Sequence, residues 1–144
     1  MKIFEPEIIA FCCHYCAYTA ADMAGSKRIF YPPNIKIIRV PCTGKVAAIH
    51  ILKALEKGAD GVYVAGCLDG DCHFKNGNTR ARQRIKYLQD YLMDIGWETE
   101  RLAMINMSAG MGEYFAKTAL EFTDTIRRLG PNPVKKIIEK QTAI

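Results

Sequence analysis

The sequence predicts an α/β fold: a single doubly wound, flavodoxin-like three-layer domain around a mostly parallel four-stranded sheet. Three observations predict it. Short β-branched apolar runs alternate with longer segments whose apolar residues recur every three or four positions. The order is strand then helix, four times over, with no internal repeat and no low-complexity segment. Glycine or proline marks nearly every junction. Alternation of this kind buries a parallel sheet between two helical layers, and right-handed crossovers restrict the strand order, with 2-1-3-4 the simplest.

The elements follow in chain order. Ile8-Ile9-Ala10-Phe11 is a first short strand. A helix is expected from about Ala17 to Ala24, closed by Gly25. Pro32-Pro33-Asn34 is a turn signal, and Ile35–Val40 is β-branched and partly alternating, a second strand. It ends at Pro41-Cys42-Thr43-Gly44. Lys45 to Lys57 reads as a helix with Gly58 at its C-terminus. Gly61–Ala65 is a third strand running into Gly66-Cys67. A polar loop from Leu68 to Gly77 leads to Asn78 or Thr79, either a suitable N-cap. Ala81, Ile85, Leu88, Leu92 and Ile95 then form one apolar stripe, ended by Gly96. Leu102 to Met107 is a fourth strand. Phe115, Ala119, Phe122, Ile126 and Leu129 repeat the helical spacing until Gly130-Pro131 stops it. Residues 1–130 are therefore expected to form the domain, and 131–144 a short basic tail whose functional reading is a docking arm.

Composition narrows the function classes. The chain has 144 residues, 49% hydrophobic and 24% charged, which suits one soluble globular domain rather than a disordered segment. No apolar run is long enough to span a bilayer, so no membrane partner is expected. Met1 to Glu7 lacks the apolar core of a signal peptide, which argues for the cytoplasm. The net charge of +5 is mild and acids are interspersed with the bases, so no nucleic acid is expected. An acidic protein partner fits the charge equally well.

Six cysteines in such a compartment read as metal ligands or redox thiols rather than disulfide staples. Their positions are informative. Cys12 and Cys13 lie just past the first strand, Cys42 just past the second and Cys67 just past the third. In a parallel sheet these places share the carboxyl edge, where open α/β sheets bind ligands. Neighbouring strands are about 5 Å apart, so thiols at their ends can converge on one small object. Cys16 and Cys72 complete the pattern C-C-x2-C … C … C-x4-C. Thiolates hold zinc or iron–sulfur clusters, and a [2Fe-2S] cluster takes four of them. Gly44, Gly61, Gly66, Gly70 and Gly77 let backbone N–H groups approach cluster sulfurs, and Lys45 and Arg39 offset cluster charge. Two other chemistries stay open at this point. Paired Cys-x2–4-Cys is the usual zinc knuckle, which would make a zinc-stabilised interaction module. Cys13-x-x-Cys16 at a strand-to-helix turn would serve a dithiol–disulfide oxidoreductase, with Cys13 attacking and Cys16 resolving.

Other motifs are weaker. No cysteine is followed by arginine at the spacing of a phosphatase loop, and there is no Walker loop or complete G-x-G-x-x-G. Gly110-Met111-Gly112 reads as a tight turn before an anion site. His14 and His73 adjoin cysteines and are read as hydrogen-bonding neighbours rather than ligands, and His50 as structural. Lys75, Arg80, Arg82, Arg84 and Lys86 are read as a solvated face, with a docking surface as the functional alternative. Tyr15, Tyr18 and Phe74 flank the cysteines and would cover them from water.

Phe11-Cys12-Cys13-His14-Tyr15-Cys16-Ala17-Tyr18, Ala20-Ala21-Asp22, Arg39-Val40-Pro41-Cys42-Thr43-Gly44-Lys45, Gly58-Ala59-Asp60-Gly61-Val62, Gly66–Phe74 and Gly77-Asn78 together resemble the delta subunit of methyl-viologen-reducing (F420-non-reducing) hydrogenase. The resemblance covers about Ile8 to Pro131. It implies a small iron–sulfur protein with one [2Fe-2S] cluster. It also implies an electron relay from a hydrogenase or formate dehydrogenase to the flavin-containing subunit of heterodisulfide reductase, in a complex performing flavin-based electron bifurcation in methanogens. The motif cysteines Cys13, Cys16, Cys42, Cys67 and Cys72 are all present, one more than a four-ligand cluster needs. Gly44, Gly66 and Lys45 are the expected cofactor-contacting residues, and no residue is expected to catalyse. The sequence departs from the family pattern at Tyr15 in place of tryptophan, Leu68-Asp69 in place of His-Pro, Phe74 in place of tyrosine, and a less acidic loop at Ser108 to Gly112. Cys12 stands where such proteins often carry another residue.

Overall fold

The structure, a computed structural model, describes residues 4–68, 70, 72, 76–135 and 137. Among them, β1 (Ile8–Cys13), α1 (Ala17–Ser26), β2 (Ile35–Val40), α2 (Ala48–Glu56), β3 (Gly61–Gly66), α3 (Gly77–Asp94), β4 (Leu102–Asn106) and α4 (Gly112–Leu129) alternate along the chain. The sheet order is β2-β1-β3-β4 and every pair is parallel. The doubly wound topology and its 2-1-3-4 order are those the sequence predicts. No helix among the described residues is long and apolar enough to cross a membrane.

Two cores sandwich the sheet. On one face Ile8, Ala10, Cys12, Tyr63 and Ala65 pack against α1 and α4, through Ala17, Ala20, Ala21, Ala24, Phe115, Ala119, Phe122 and Ile126. On the other face Phe11, Val62, Val64 and Leu102 meet α2 and α3, through Ile51, Leu55, Ala81, Ile85, Leu88 and Leu92. Adjacent strand residues point to opposite faces, so each strand serves both cores. The alanines of α1 let that helix lie close to the small residues Ala10 and Cys12. At the other end of the sheet Gly61 is packing space: a Cβ there would come within 2.8 Å of Ile126 and 2.9 Å of Phe122. That position is remote from the cysteines, so the glycine does not serve them.

β1 runs on through Cys12 and Cys13 rather than ending at Phe11, and three other boundaries also differ from the sequence reading. Gly25 lies inside α1, and the left-handed residue after the helix is Arg28, φ 55°. The bonds Ile29 N–H to Ala24 O and Arg28 N–H to Gly25 O close the turn. The second helix begins at Ala48, not Lys45. Thr43–Lys45 forms a separate 3-10 turn, and Val46 and Ala47 are extended. Arg84 of α3 donates to the carbonyls of Gly44 and Val46, holding this stretch out of the helix. Arg84 is thus a structural clamp rather than part of a solvated face. His50 accepts the Ala47 N–H at Nδ1, 3.1 Å, which secures the start of α2 and agrees with a structural histidine. Asn78, read as an N-cap, is instead buried within α3.

The edge of the sheet where strands begin is tied by a buried polar clasp. Asp60, just before β3, accepts from Glu7 N–H (2.8 Å), Asn132 N–H (2.8 Å) and Lys135 Nζ (2.7 Å). Arg101, 1% exposed, donates to the carbonyls of Asp60 and Gly130 (both 2.9 Å) and Pro131 (3.2 Å). Asn132 donates to Leu55 O and Ala59 O. The first residues beyond 130 are therefore part of this clasp. Removing the Asp60 carboxylate strands a partly buried cation and two N–H groups. Asp60→Ala is expected to cost about 3–5 kcal/mol in urea unfolding, without altering the reactivity of the folded protein's thiols at the far edge.

Candidate metal centre

The register levels the carboxyl ends of the strands. Cys13 is opposite Val40, Cys12 opposite Ala65, and Gly66 opposite Asn106. The chain leaving β1, β2 and β3 therefore starts from one plane. The first two exits turn directly into helical starts: Cys16 is the residue before α1, and Cys42 the residue before the Thr43–Lys45 turn. Short turns hold both thiols close to the sheet rather than out in a loop.

Five of the six cysteines converge there. The sulfurs of Cys13, Cys16 and Cys67 all lie within 4.8 Å of one another. Cys13 Sγ is 3.8 Å from Cys67 Sγ, while Cys16 and Cys67 are in disulfide contact with Cα atoms 5.6 Å apart. Cys72 packs against this trio. Cys42 and Cys72 meet over Gly77, the first residue of α3. A Cβ on Gly77 would overlap the Cys42 sulfur and lie 3.3 Å from that of Cys72. A Cβ on Gly44 would sit 3.0 Å from the Gly77 Cα, so two bare backbones touch beside the thiols. Glycine is needed at both places by contact, not by dihedral angle.

Cys12 is outside the group. This follows from strand alternation: Cys13 faces the α2 and α3 side, so its neighbour points into the α1 and α4 core, fully buried. Burial pushes the Cys12 thiol up to about 12, with Cys13 adding to the rise. It is a small apolar core residue. The thiol of Cys42 is also raised, first by burial and then by Cys72 and Cys13, while the Gly44 N–H, 3.4 Å from its sulfur, lowers it. A metal ion reverses such a rise, because the bound thiolate is stabilised by the ion's charge. Buried thiols that repel one another's ionisation, with an N–H directed at one sulfur, are a donor set suited to a soft cation or an iron–sulfur cluster.

The remaining sequence-predicted residues are distributed around this centre. Gly66 leaves room for the Thr43 side chain, whose Cγ2 would be 3.0 Å from a Cβ, and so seats the Cys42 turn on β3. Lys45 and Arg39 are exposed on the rim, Arg39 stacked 5.3 Å over the Tyr18 ring. His14 is exposed and packs edge-on to Tyr15. Tyr15 lines a cavity of about 200 Å³ with Cys16, Cys67, Leu68 and Met107, and remains 45% exposed, so it covers the thiols in part. Gly70 has φ +83° and meets nothing. Asp69, Asp71, His73, Phe74 and Lys75 lie outside the described residues. Cys16 is in contact with Cys67, and the Cys13 sulfur lies within 4.8 Å of both.

Two residues at this edge have a role that the sequence reading did not give them. Asn106, the last residue of β4, donates to Cys67 O at 2.6 Å. Asn78 donates to Cys67 O at 3.2 Å and Leu68 O at 3.0 Å. The signal for Asn106 was present: it is a polar residue at the same strand-end level as the cysteines.

Comparison with known proteins gives a consistent result. Residues 8–130 match the family model for the delta subunit of methyl-viologen-reducing hydrogenase. The chain is 49% identical over 128 residues to an iron-sulfur subunit of the F420-non-reducing hydrogenase of Archaeoglobus profundus, covering 89% of this chain and 93% of that one. It is 44% identical over 131 residues to the corresponding vhu hydrogenase iron-sulfur subunit of Methanococcus maripaludis, covering 91% and 98%. It is also 40% identical over 126 residues to a subunit of the ferredoxin:CoB-CoM heterodisulfide reductase of Methanosarcina mazei, where the match covers 88% of this chain and 16% of the longer one.

Gly77→Ala tests the packing of the centre. Alanine normally favours a helix, but here its methyl group must displace the Cys42 sulfur. The expected result is a loss of about 1–3 kcal/mol in urea unfolding. Gly25→Ala, also helical and facing open space, is expected to gain about 0.5–1 kcal/mol.

Proposed function

The chain belongs to the delta-subunit family of methyl-viologen-reducing hydrogenase, and from this premise we propose that it carries one [2Fe-2S] cluster and relays single electrons. The observation that carries the reading is the convergence of five thiols from three strand ends and two loops on one buried point. Four of Cys13, Cys16, Cys42, Cys67 and Cys72 would hold the cluster, and the fifth stays beside it as a spare thiol. When bound, the cluster supplies a one-electron redox couple. Everything else is the work of the polypeptide. The Gly44 N–H donates to Cys42, the buried sulfurs exclude water, and the rim cations Arg39 and Lys45 moderate negative charge.

We assign the partners by relationship. The iron-sulfur relatives are named as parts of hydrogenases, which supports a hydrogenase as electron donor. A formate dehydrogenase is the second donor of this reading. The segment shared with a heterodisulfide reductase supports the flavin-containing protein of that enzyme as acceptor, in a bifurcating complex of methanogenic metabolism. No residue is assigned acid–base or covalent catalysis, so the chain serves its oxidoreductase complex as an electron carrier. The cytoplasm is the compartment assigned, because these thiols must stay reduced to bind iron.

Anaerobic purification with metal and sulfide analysis tests the reading. The expected protein is brown, with two irons and two sulfides per chain and a one-electron paramagnetic signal on reduction. A colourless protein with one tightly bound zinc, unfolding on chelation, would identify the zinc module. A metal-free protein exchanging disulfides through Cys16 and Cys67 would identify a thiol enzyme. Either result would overturn the proposal.

A further inference from the structure

We infer that Asn78 and Asn106 are positioning residues which clamp the Cys67–Leu68 backbone from two sides and thereby set the placement of the Cys67 sulfur. This rests on the reading that the thiols hold a cluster, and adds two residues to it. Cys67 belongs to the tightest part of the centre, within 4.8 Å of two other sulfurs, yet it sits on a loop that has just left β3. A loop residue needs outside support to hold a ligand atom in place.

That support comes from two elements. From α3, Asn78 directs Nδ2 at the carbonyls of Cys67 and Leu68. From β4, Asn106 directs Nδ2 at the same Cys67 carbonyl. An asparagine amide can present either its nitrogen or its oxygen, so each clamp requires an orientation. Both orientations are fixed. The Thr79 N–H donates to Asn78 Oδ1 at 2.9 Å, and Arg82 Nη2 donates to Asn106 Oδ1 at 3.1 Å. The oxygens are thus held by donors, and the nitrogens are left for the Cys67 carbonyl.

Asn78 is 1% exposed, so its amide is committed to these bonds. Its Oδ1 serves the first turn of α3 while its Nδ2 reaches the Cys67–Leu68 backbone. Arg82, exposed on α3, joins a chain running Arg82, Asn106, Cys67. The donated bonds also bring the positive ends of two amide dipoles toward a centre that gains an electron on reduction, which favours the reduced state.

The test compares Asn106→Asp, Asn78→Leu and Arg82→Leu with the wild type in anaerobically prepared protein. Asn106→Asp keeps the shape and the Arg82 contact but replaces the donor by a carboxylate that repels the Cys67 carbonyl, so the iron-release rate is the readout of the clamp and the potential also carries the added charge. The expected result for both asparagine variants is about tenfold or faster iron release to a chelator, a changed paramagnetic signal and a more negative midpoint potential. Arg82→Leu is expected to move all three in the same direction by less. Asn132→Ala is the control: it removes an equally buried carbonyl tie at the opposite edge, and is expected to lower thermal stability while leaving signal and potential unchanged. Should Asn78→Leu fail to fold, Asn106→Asp decides alone, because Asn106 is only half-buried. Iron-loaded wild type with an Asn106→Asp variant of unchanged release rate, signal and potential would overturn the inference and leave the cluster reading intact. A wild type without iron would overturn both.

Discussion

The parallel pairing of β1 between β2 and β3 is the constraint on which the rest depends. A slip of one residue in β1 would turn every side chain to the other face. Cys12 would then enter the thiol centre and Cys13 the core. The pattern of sizes prevents it. The face toward α1 carries Ala10 and Cys12, which leave room for an alanine-lined helix, whereas Phe11 on the other face fills the gap beneath α2 and α3. Close packing on one side and bulk on the other therefore choose which cysteine is available for chemistry. The thiol centre is a consequence of register before it is a consequence of cysteine content.

Much of this was legible in the sequence, and the reason is physical. Strand and helix periods alternate cleanly, so topology follows from crossover handedness. Once the strands are parallel, Cys42 and Cys67 must share an edge with Cys13. What could not be read was the detail that depends on contacts between distant segments. The bend that delays α2 comes from Arg84, forty residues beyond Gly44. Gly77 is indispensable because of a sulfur that arrives from the β2 exit, and nothing in its neighbours announces that. Gly61, grouped with the site glycines on composition, packs against α4 at the other end. Asn78 looked like a cap because its type favours caps; burial and three hydrogen bonds give it a different duty.

The two edges of the sheet divide the labour. At the carboxyl edge, thiols, bare glycine backbone and amide clamps assemble a centre that gains little from apolar packing. At the amino edge, Asp60, Arg101 and Asn132 form a dense hydrogen-bonded clasp in which no cysteine among the described residues takes part. A buried ionic network adds less to stability than its number of bonds implies, because desolvation opposes it. Its geometric effect is larger: it fixes β3 relative to β1 at their origins.

The clasp also gathers residues from both flanks of the described domain. Glu7 and Lys135 meet at Asp60, and Glu5 pairs with Arg127 at 3.2 Å. Both approaches to the domain thus lie on the side away from the thiols. A longer protein could carry this unit as a module joined through the edge opposite the thiols. The match to the Methanosarcina mazei reductase subunit is of domain size, 126 residues covering 16% of that longer chain. A fold whose entry and exit share one edge leaves the opposite edge free to keep its chemistry whatever is joined behind it.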